Sequence, residues 1–279
     1  MKNIPSAVLA VAPSNHFYGH RFSDLISAPF DVNDYSRLKF GSEIVARAFG
    51  RELADAFFDK HRDLLATQQC VVIPAPSTTV PVAATLMGHH FRNRLNEHLD
   101  VSGLGPVEWT MIHRNMAYNH NYACLGKEER KAILSNDARF MANSYVADKH
   151  LLFIDDVTIT GTHEEEIVHF LWREQLPNRH TFVAFAKYMG DDPSIETRLN
   201  HVCIKDARDL VKLSREPGHR LTTRAVRLFL DTSLAEFLEL LEIAPDTLLE
   251  DAYHAAIVKG YNRDYPDTFA ALRRKMGRV

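Results

Sequence analysis

Residues 151–163 read LLFIDDVTITGTH, and this stretch decides the fold of the chain. Its first four residues are apolar, as in a buried strand, and the acidic pair Asp155 and Asp156 follows them directly. After Val157 the chain enters a short turn that is rich in threonine and contains Gly161, and a helical pattern begins at once. A buried strand, an acidic strand end, a glycine turn and a helix start, in that order, are how an open α/β sheet builds a phosphate pocket.

Each part of this stretch suits the binding of a phosphorylated sugar. Backbone N–H groups of residues 160–163 can point into the turn and, together with the helix dipole, hold a phosphate. Gly161 lets the backbone approach that phosphate closely. The carboxylates of Asp155 and Asp156 can hold ribose hydroxyls directly or through a hydrated Mg²⁺ ion. The competing interpretation is an ordinary core strand followed by a capped turn.

The stretch resembles the phosphoribosyl-pyrophosphate (PRPP) signature of type I phosphoribosyltransferases, and the wider resemblance covers roughly residues 30–205. It implies that a nucleophilic nitrogen displaces pyrophosphate from C1 of PRPP, with Mg²⁺ as the cofactor. Asp155 and Asp156 would then be the catalytic acids, which hold the ribose and, through water, the metal. The residues implied to bind the 5′-phosphate are Thr158, Ile159, Thr160, Gly161, Thr162 and His163.

Two positions in this loop depart from the family pattern. Ile159 stands where some family members carry a carboxylate that acts as a general base, so a base on this loop is in doubt. His163 stands where a phosphate-binding hydroxyl residue is common, and its ring either donates a hydrogen bond instead or simply begins the helix.

The composition is typical of a cytoplasmic enzyme. The chain has 279 residues, which is enough for a full core and an appended subdomain. Its formal net charge of −3 argues against non-specific binding to nucleic acid. The three cysteines (Cys70, Cys124 and Cys203) lie far apart and suit a reducing compartment. No apolar run has the length of a membrane span, and the N-terminal stretch lacks the pattern of a signal peptide.

The apolar pattern of the first two thirds of the chain predicts alternating strands and helices. Residues 43–66 have the spacing of an amphipathic helix, the polar stretch 31–43 before it reads as a turn, and another helix is expected to begin near Pro81. Strands are predicted at residues 70–73, 107–112, 151–154, 181–186 and 201–204. This alternation favours a mostly parallel, doubly wound α/β sheet of the type I phosphoribosyltransferase kind.

From about Leu221 the pattern becomes helical. Helices are predicted over residues 224–230, after a cap at residues 231–233, and from Pro245 to Gly260. A helical cap on the sheet explains these helices better than a DNA-reading pair, because acidic residues are frequent in them. The chain therefore divides into an N-terminal hood and helical region (1–66), an α/β core (67–207) and a helical C-terminal extension (208–279).

A second loop, PAPSTTVP at residues 74–81, stands where the family holds pyrophosphate. Its hydroxyl and N–H groups precede a helix, which suits an anion, although Ser and Thr before a helix are also ordinary capping residues. The long polar segment from residue 113 to 149 corresponds to the mobile lid of the family, and Arg114 at its start directly follows a strand. The residues predicted to bind pyrophosphate are Ala75, Pro76, Ser77, Thr78, Thr79 and Arg114.

Aromatic and basic residues in three places are predicted to contact the acceptor. They lie in the stretch YSRLKFG (35–41), in the lid, and at the end of the strand that follows the signature helix. They are Tyr35, Arg37, Lys39, Tyr118, Tyr122, Lys187 and Tyr188. A purely structural role stays open at each place. The stretch 35–41 could simply lead into a helix, the lid tyrosines could pack within the lid, and Lys187 could extend from the sheet edge into solvent.

Three features resemble the phosphoribosyltransferases associated with stress and tellurium-resistance operons: the YSRLKFG stretch, the Arg114 region and the glutamates after the phosphate loop (164–166). The predicted function is transfer of the 5-phosphoribosyl group to or from a nitrogen acceptor, with pyrophosphate as the other product. PRPP or another nucleotide that contains ribose 5-phosphate is the predicted partner; the acceptor is unknown, and a homodimer is left open. The alternatives are a PRPP- or nucleotide-sensing regulator without turnover, or a ribosyl-phosphate hydrolase or phosphorylase that uses the same pocket.

Overall fold

The computed structural model describes residues 30–114, 139–141, 143–188 and 194–278, together with two short strands near the N-terminus. A parallel sheet forms its centre, with the strand order β1–β8–β7–β3–β4 and with β2 also paired to β8. A separate antiparallel pair joins β5 to β6. The strands are β1 (Ala7–Val8), β2 (His16–Phe17), β3 (Cys70–Pro74), β4 (Glu108–Trp109), β5 (His113–Arg114), β6 (Arg139–Phe140), β7 (His150–Thr158) and β8 (His180–Tyr188).

Helices surround this sheet and form the C-terminal third of the chain. Within the described residues, no helix is both long enough and apolar enough to cross a membrane. The helices are α1 (Val32–Lys39), α2 (Glu43–Thr67), α3 (Ala83–Val101), α4 (Asn143–Val146), α5 (Thr162–Arg173), α6 (Ile195–Asn200), α7 (Ala207–Leu213), α8 (Thr223–Leu230), α9 (Leu234–Ile243), α10 (Asp246–Lys259), α11 (Tyr261–Asp264) and α12 (Pro266–Lys275).

The central strand β7 is buried on both faces. Successive side chains of a strand point to opposite faces, so Leu152 and Ile154 share one core with α2 and α3. Leu151 and Phe153 share the other core with the apolar side of α5. Helices therefore cover both faces of a mostly parallel sheet, which confirms the predicted doubly wound α/β fold.

The register of the strands brings their carboxyl ends to one edge. Pro74 of β3 pairs with Ile154 of β7, and Thr158 of β7 pairs with Lys187 of β8. The loops that follow these strands leave the sheet side by side, at the edge where parallel sheets bind ligands.

The C-terminal helices enclose a hydrophobic core of their own, in which Phe229 and Phe237 are fully buried. The structure confirms two predicted helix boundaries. The Ser233 hydroxyl accepts the N–H of Glu236 at the start of α9, and Gly260 ends α10 with a left-handed φ of 73°. Phe40 at the end of α1 belongs to this same core. The division of the chain at residues 66 and 207 stays a prediction.

Two sequence-based expectations are wrong. Residues 31–43 were expected to form a turn but contain α1, because the Asp31 carboxylate caps the N–H of Asn33 at 2.8 Å and Tyr35 and Leu38 bury one side of the helix. Residues 201–204 were expected to form a strand but are irregular. The N–H groups of Cys203 and Ile204 donate to the Ser36 hydroxyl of α1, at 3.4 and 3.3 Å, and not to a neighbouring strand.

Candidate functional site

The acidic pair at the end of β7 is held by hydrogen bonds and by one lysine. The Lys39 ammonium of α1 lies 2.6 Å from Oδ2 of Asp156, whose side chain is almost fully buried. The other oxygen of Asp156 accepts the N–H of Val157 at 2.7 Å, and Oδ1 of Asp155 accepts the N–H of Asp156 at 2.9 Å. Both carboxylates are therefore fixed before any ligand arrives.

The environment of Asp155 changes how its carboxyl group ionises. Burial, together with the negative charge of Asp156, raises the pKa of Asp155 well above its ordinary value. Burial alone would lower the pKa of Lys39. The negative charge of Asp156, together with smaller contributions from Tyr35 and Glu196, exceeds this effect, so the pKa of Lys39 is raised. Lys39 thus stays charged and compensates Asp156, whereas Asp155 favours a proton or an additional cation.

The predicted phosphate loop connects β7 to α5 through a left-handed glycine. Gly161 precedes the first turn of α5 with a φ of 72°, and a Cβ built there would meet no other atom within 4 Å. The hydroxyls of Thr160 and Thr162 lie 2.8 Å apart across this turn. The N–H of Thr162 donates to the Thr160 hydroxyl at 3.4 Å, and the positive end of the α5 dipole faces this open space, which favours an anion there.

The loop, the acids and the start of α3 enclose a cavity of about 230 Å³, here called the acid–loop cavity. The sequence predicted many of its lining residues: Lys39, Ala75, Pro76, Asp155, Asp156, Thr158, Ile159, Thr160, Gly161, Thr162 and His163. The structure adds Val82, the first two residues of α3 (Ala83 and Ala84), Val157, Glu164 and Glu196. Glu196 could have been found from the sequence, since it follows β8 at the edge where ligands bind.

The predicted pyrophosphate loop begins beside this cavity. The N–H of Ala75 donates to the carbonyl oxygen of Ile154 at 3.0 Å, which ties the loop to β7. The Ser77 and Thr78 hydroxyls are buried and have no hydrogen-bond partner among the described residues, while Thr79 is exposed. A buried hydroxyl without a partner costs about 1–3 kcal/mol, so both are candidates for bonds to a ligand.

Other predicted residues are distributed around the site. Tyr35 is buried with its ring centre 5.3 Å from the Lys39 ammonium, and Arg37 is engaged by Glu216 at 2.6 Å. Lys187 lies beside Thr158 at the strand ends, and Tyr188 is buried in the core of the sheet.

The remaining predicted contacts lie outside what the structure describes. The backbone of Arg114 ends β5, but its side chain is outside the description, and Tyr118 and Tyr122 are outside the described residues. Contact with pyrophosphate or with an acceptor stays a prediction for all of these residues.

The chain is similar to known phosphoribosyltransferases in family and in fold. A family model described as "PRTase ComF-like" matches residues 14–269. Hypoxanthine phosphoribosyltransferase from Staphylococcus aureus is 12% identical with a TM-score of 0.33, over 52% of this chain and 76% of that chain. The Trypanosoma cruzi enzyme, in complex with the product IMP, is 12% identical with a TM-score of 0.33, over 55% and 78% of the two chains. No curated protein matches at a significant level. The narrower resemblance to the phosphoribosyltransferases associated with stress and tellurium-resistance operons stays a prediction.

Proposed function

Because the chain belongs to the ComF-like phosphoribosyltransferase family, we propose that it binds PRPP with Mg²⁺ in the acid–loop cavity and transfers the 5-phosphoribosyl group to or from a nitrogen acceptor. The observation that carries this proposal is the combination found in one cavity: two fixed carboxylates, a left-handed glycine beside open space, and the N-terminus of α5. A phosphorylated ribose needs this combination, since its phosphate requires N–H donors and its hydroxyls require acceptors.

Each part of the cavity has a role in binding PRPP. The first turn of α5 and the open space at Gly161 receive the 5′-phosphate, and Asp155 and Asp156 accept hydrogen bonds from the ribose hydroxyls. The unpartnered hydroxyls of Ser77 and Thr78 lie on the loop assigned to pyrophosphate. Carboxylate and phosphate oxygens are ligands that Mg²⁺ prefers, so the raised pKa of Asp155 fits a carboxylate that takes up a hydrated cation together with the substrate.

Transfer is a substitution at C1 of the ribose. The C1–O bond to pyrophosphate breaks and its electron pair leaves with pyrophosphate, while the lone pair of the acceptor nitrogen forms the C1–N bond and the nitrogen loses its proton to solvent. Positive charge develops on the ribose as the C1–O bond lengthens, and the fixed carboxylates stabilise that charge. Bound Mg²⁺ would supply neutralisation of the negative charge that develops on the leaving pyrophosphate.

One observation favours binding without turnover as a second candidate. The Ile159 side chain packs against the core of the sheet, so this loop position offers no proton acceptor to the reacting nitrogen. A PRPP- or nucleotide-sensing regulator would need the pocket but no such acceptor.

Calorimetric titration of PRPP with Mg²⁺ tests the proposal. We expect Asp155→Asn to weaken binding about tenfold or more, because a hydrogen bond to a charged acceptor is lost. The control is Asp148→Asn, an exposed position just before β7 with a left-handed φ of 62° that Asn also adopts readily. No binding to the folded wild-type protein would overturn the proposal. Binding without release of pyrophosphate, across a panel of nitrogen acceptors, would favour the regulator.

A further inference from the structure

A second cavity of about 290 Å³ lies beside the acid–loop cavity, where the C-terminal helices meet α1 and α3. Lys39, Val82 and Ala83 line both cavities, so the two spaces share a wall. A charged contact also joins them: Nη2 of Arg224, in the second cavity, lies 3.4 Å from Oε1 of Glu196, in the first. A molecule in the second cavity would therefore sit next to the proposed ribose site.

The charges that line this second cavity favour an anion. Arg224 and Arg227 contribute cations, against the carboxylate of the exposed Asp231, whereas the charge of Lys39 is compensated by Asp156. The two arginines are three residues apart on α8 and therefore share one side of that helix. Planar guanidinium groups bind carboxylate and phosphate through paired hydrogen bonds.

The His201 ring, which also lines the cavity, offers it a hydrogen-bond acceptor, while the Phe40 ring behind it is fully buried. The rings of His201 and Phe40 pack with their centres 5.3 Å apart. Nδ1 of His201 lies 3.0 Å from the carbonyl oxygen of Ile204, and since a carbonyl can only accept, Nδ1 carries the hydrogen. Burial lowers the pKa of His201, so the ring is neutral near pH 7 and its Nε2 can accept a hydrogen bond from an N–H group.

We propose that this second cavity, here called the arginine pocket, binds the acceptor of phosphoribosyl transfer, and that the acceptor is a compact nitrogen compound carrying a carboxylate or phosphate group. The inference rests on the proposed function, because it gives that reaction its acceptor. Arg224 and Arg227 hold the anionic group, and the His201 ring faces the nitrogen heterocycle. The volume lies at the lower end of the range for small-molecule pockets, roughly 300–1,000 Å³, which suits a compact ligand.

The test compares an anion with its neutral isostere in the full-length protein. Imidazole-4-carboxylate, imidazole-4-carboxamide and inorganic phosphate are titrated separately into the wild type, with and without PRPP and Mg²⁺. The variants are Arg224→Gln/Arg227→Gln, which removes both cations, and Asp231→Asn, which removes the opposing carboxylate at an exposed position. Arg208→Gln on α7 is the matched control, an exposed arginine that pairs with Glu239 and lies outside both cavities.

We expect wild type to bind the carboxylate about tenfold or more tightly than the carboxamide, and the double arginine variant to lose that preference. Asp231→Asn should strengthen carboxylate binding a few-fold, Arg208→Gln should change nothing, and all variants should bind PRPP normally. Stronger binding of phosphate than of carboxylate would identify a phosphorylated acceptor.

Two results would overturn the inference. One is an unchanged preference for the carboxylate in the double variant, together with no gain in Asp231→Asn. The other is loss of PRPP binding in the folded double variant, since the arginines would then belong to the PRPP site. Failure of the wild type to bind PRPP would instead count against the proposed function, and the preference for the anion would still be read from the experiment without PRPP.

Discussion

The acid–loop cavity and the C-terminal extension use the same local devices with opposite outcomes. In the extension, the hydroxyl of Ser233 caps a helix and the left-handed Gly260 joins two helices. In the loop that begins beside the acid–loop cavity, the Ser77 hydroxyl is buried without a partner in the described structure, and within the cavity the left-handed Gly161 stands beside open space next to a helix N-terminus.

This difference separates residues that complete the fold from residues left available for a ligand. Functional sites commonly contain buried polar groups without partners and other features that lower the stability of the fold, whereas regions without a function satisfy such groups. The comparison can be tested by making the same substitution in each region and measuring both stability and PRPP binding.

The largest difference is expected between two lysine-to-methionine changes. Lys39 makes a buried pair with Asp156, whereas Lys275 pairs at 2.9 Å with a Glu242 side chain that is 71% exposed. Lys39→Met should lower the free energy of unfolding by about 3 kcal/mol because it leaves a buried carboxylate unpaired. Lys275→Met should lower it by less than about 1 kcal/mol. Urea denaturation measures both, and equal losses would contradict the distinction.

The next contrast concerns pH and the acid whose pKa is raised. The folded chain keeps a proton on Asp155 that the unfolded chain releases near its ordinary pKa of about 3.9. The free energy of unfolding therefore falls as the pH rises from there through the raised pKa of Asp155.

Asp155→Asn should abolish this fall and be more stable than wild type at neutral pH, because asparagine has no carboxyl group to ionise in the buried site. The matched change away from the acid–loop cavity is Asp206→Asn at the start of α7, an exposed cap whose carboxylate accepts the N–H of Asp209 at 3.0 Å. It should give no such gain. If the wild type is at least as stable as Asp155→Asn at pH 7, ionisation of Asp155 does not lower the free energy of unfolding, and the prediction is wrong.

The sequence predicts those parts of the site whose residues are neighbours along the chain. Residues 151–163 identify the strand, the acids and the phosphate loop, because those parts adjoin in sequence as they do in space. Helix α1 was missed since its acidic cap and basic residues resemble a turn, although Tyr35 and Leu38 have helical spacing. The strand predicted at residues 201–204 was wrong because an apolar segment does not reveal which backbone it will pair with.

The rest of the site depends on contacts between distant parts of the chain. Lys39 and Asp156 are 117 residues apart, and nothing in the sequence around either residue indicates that the two form a pair. The sequence places Arg224 and Arg227 in a helical cap, and the hydrogen bonds that tie the start of α8 to Lys39 and Pro81 bring them beside the acid–loop cavity. Such juxtapositions follow from tertiary packing, which local patterns do not encode.

A smaller contrast concerns the two left-handed glycines. Gly161 and Gly260 have φ values of 72° and 73°, and a Cβ at either position would meet no atom within 4 Å. Alanine should therefore lower the free energy of unfolding by a similar amount at both sites, about 1 kcal/mol. PRPP binding should weaken only in Gly161→Ala, where the methyl group enters the space assigned to the phosphate. Equal PRPP affinity in the two variants would remove Gly161 from the site.

The smallest change in stability is expected for Ser77→Ala. Ser233→Ala removes a helix cap and should cost about 1 kcal/mol. Ser77→Ala removes a hydroxyl without a described partner, so its cost should be a few tenths of a kcal/mol at most, or its effect slightly stabilising. Pyrophosphate affinity, measured calorimetrically, should fall in Ser77→Ala and stay unchanged in Ser233→Ala. A loss of stability in Ser77→Ala as large as that in Ser233→Ala would mean that the Ser77 hydroxyl serves the fold, and the contrast between the two regions would not extend to the pyrophosphate loop.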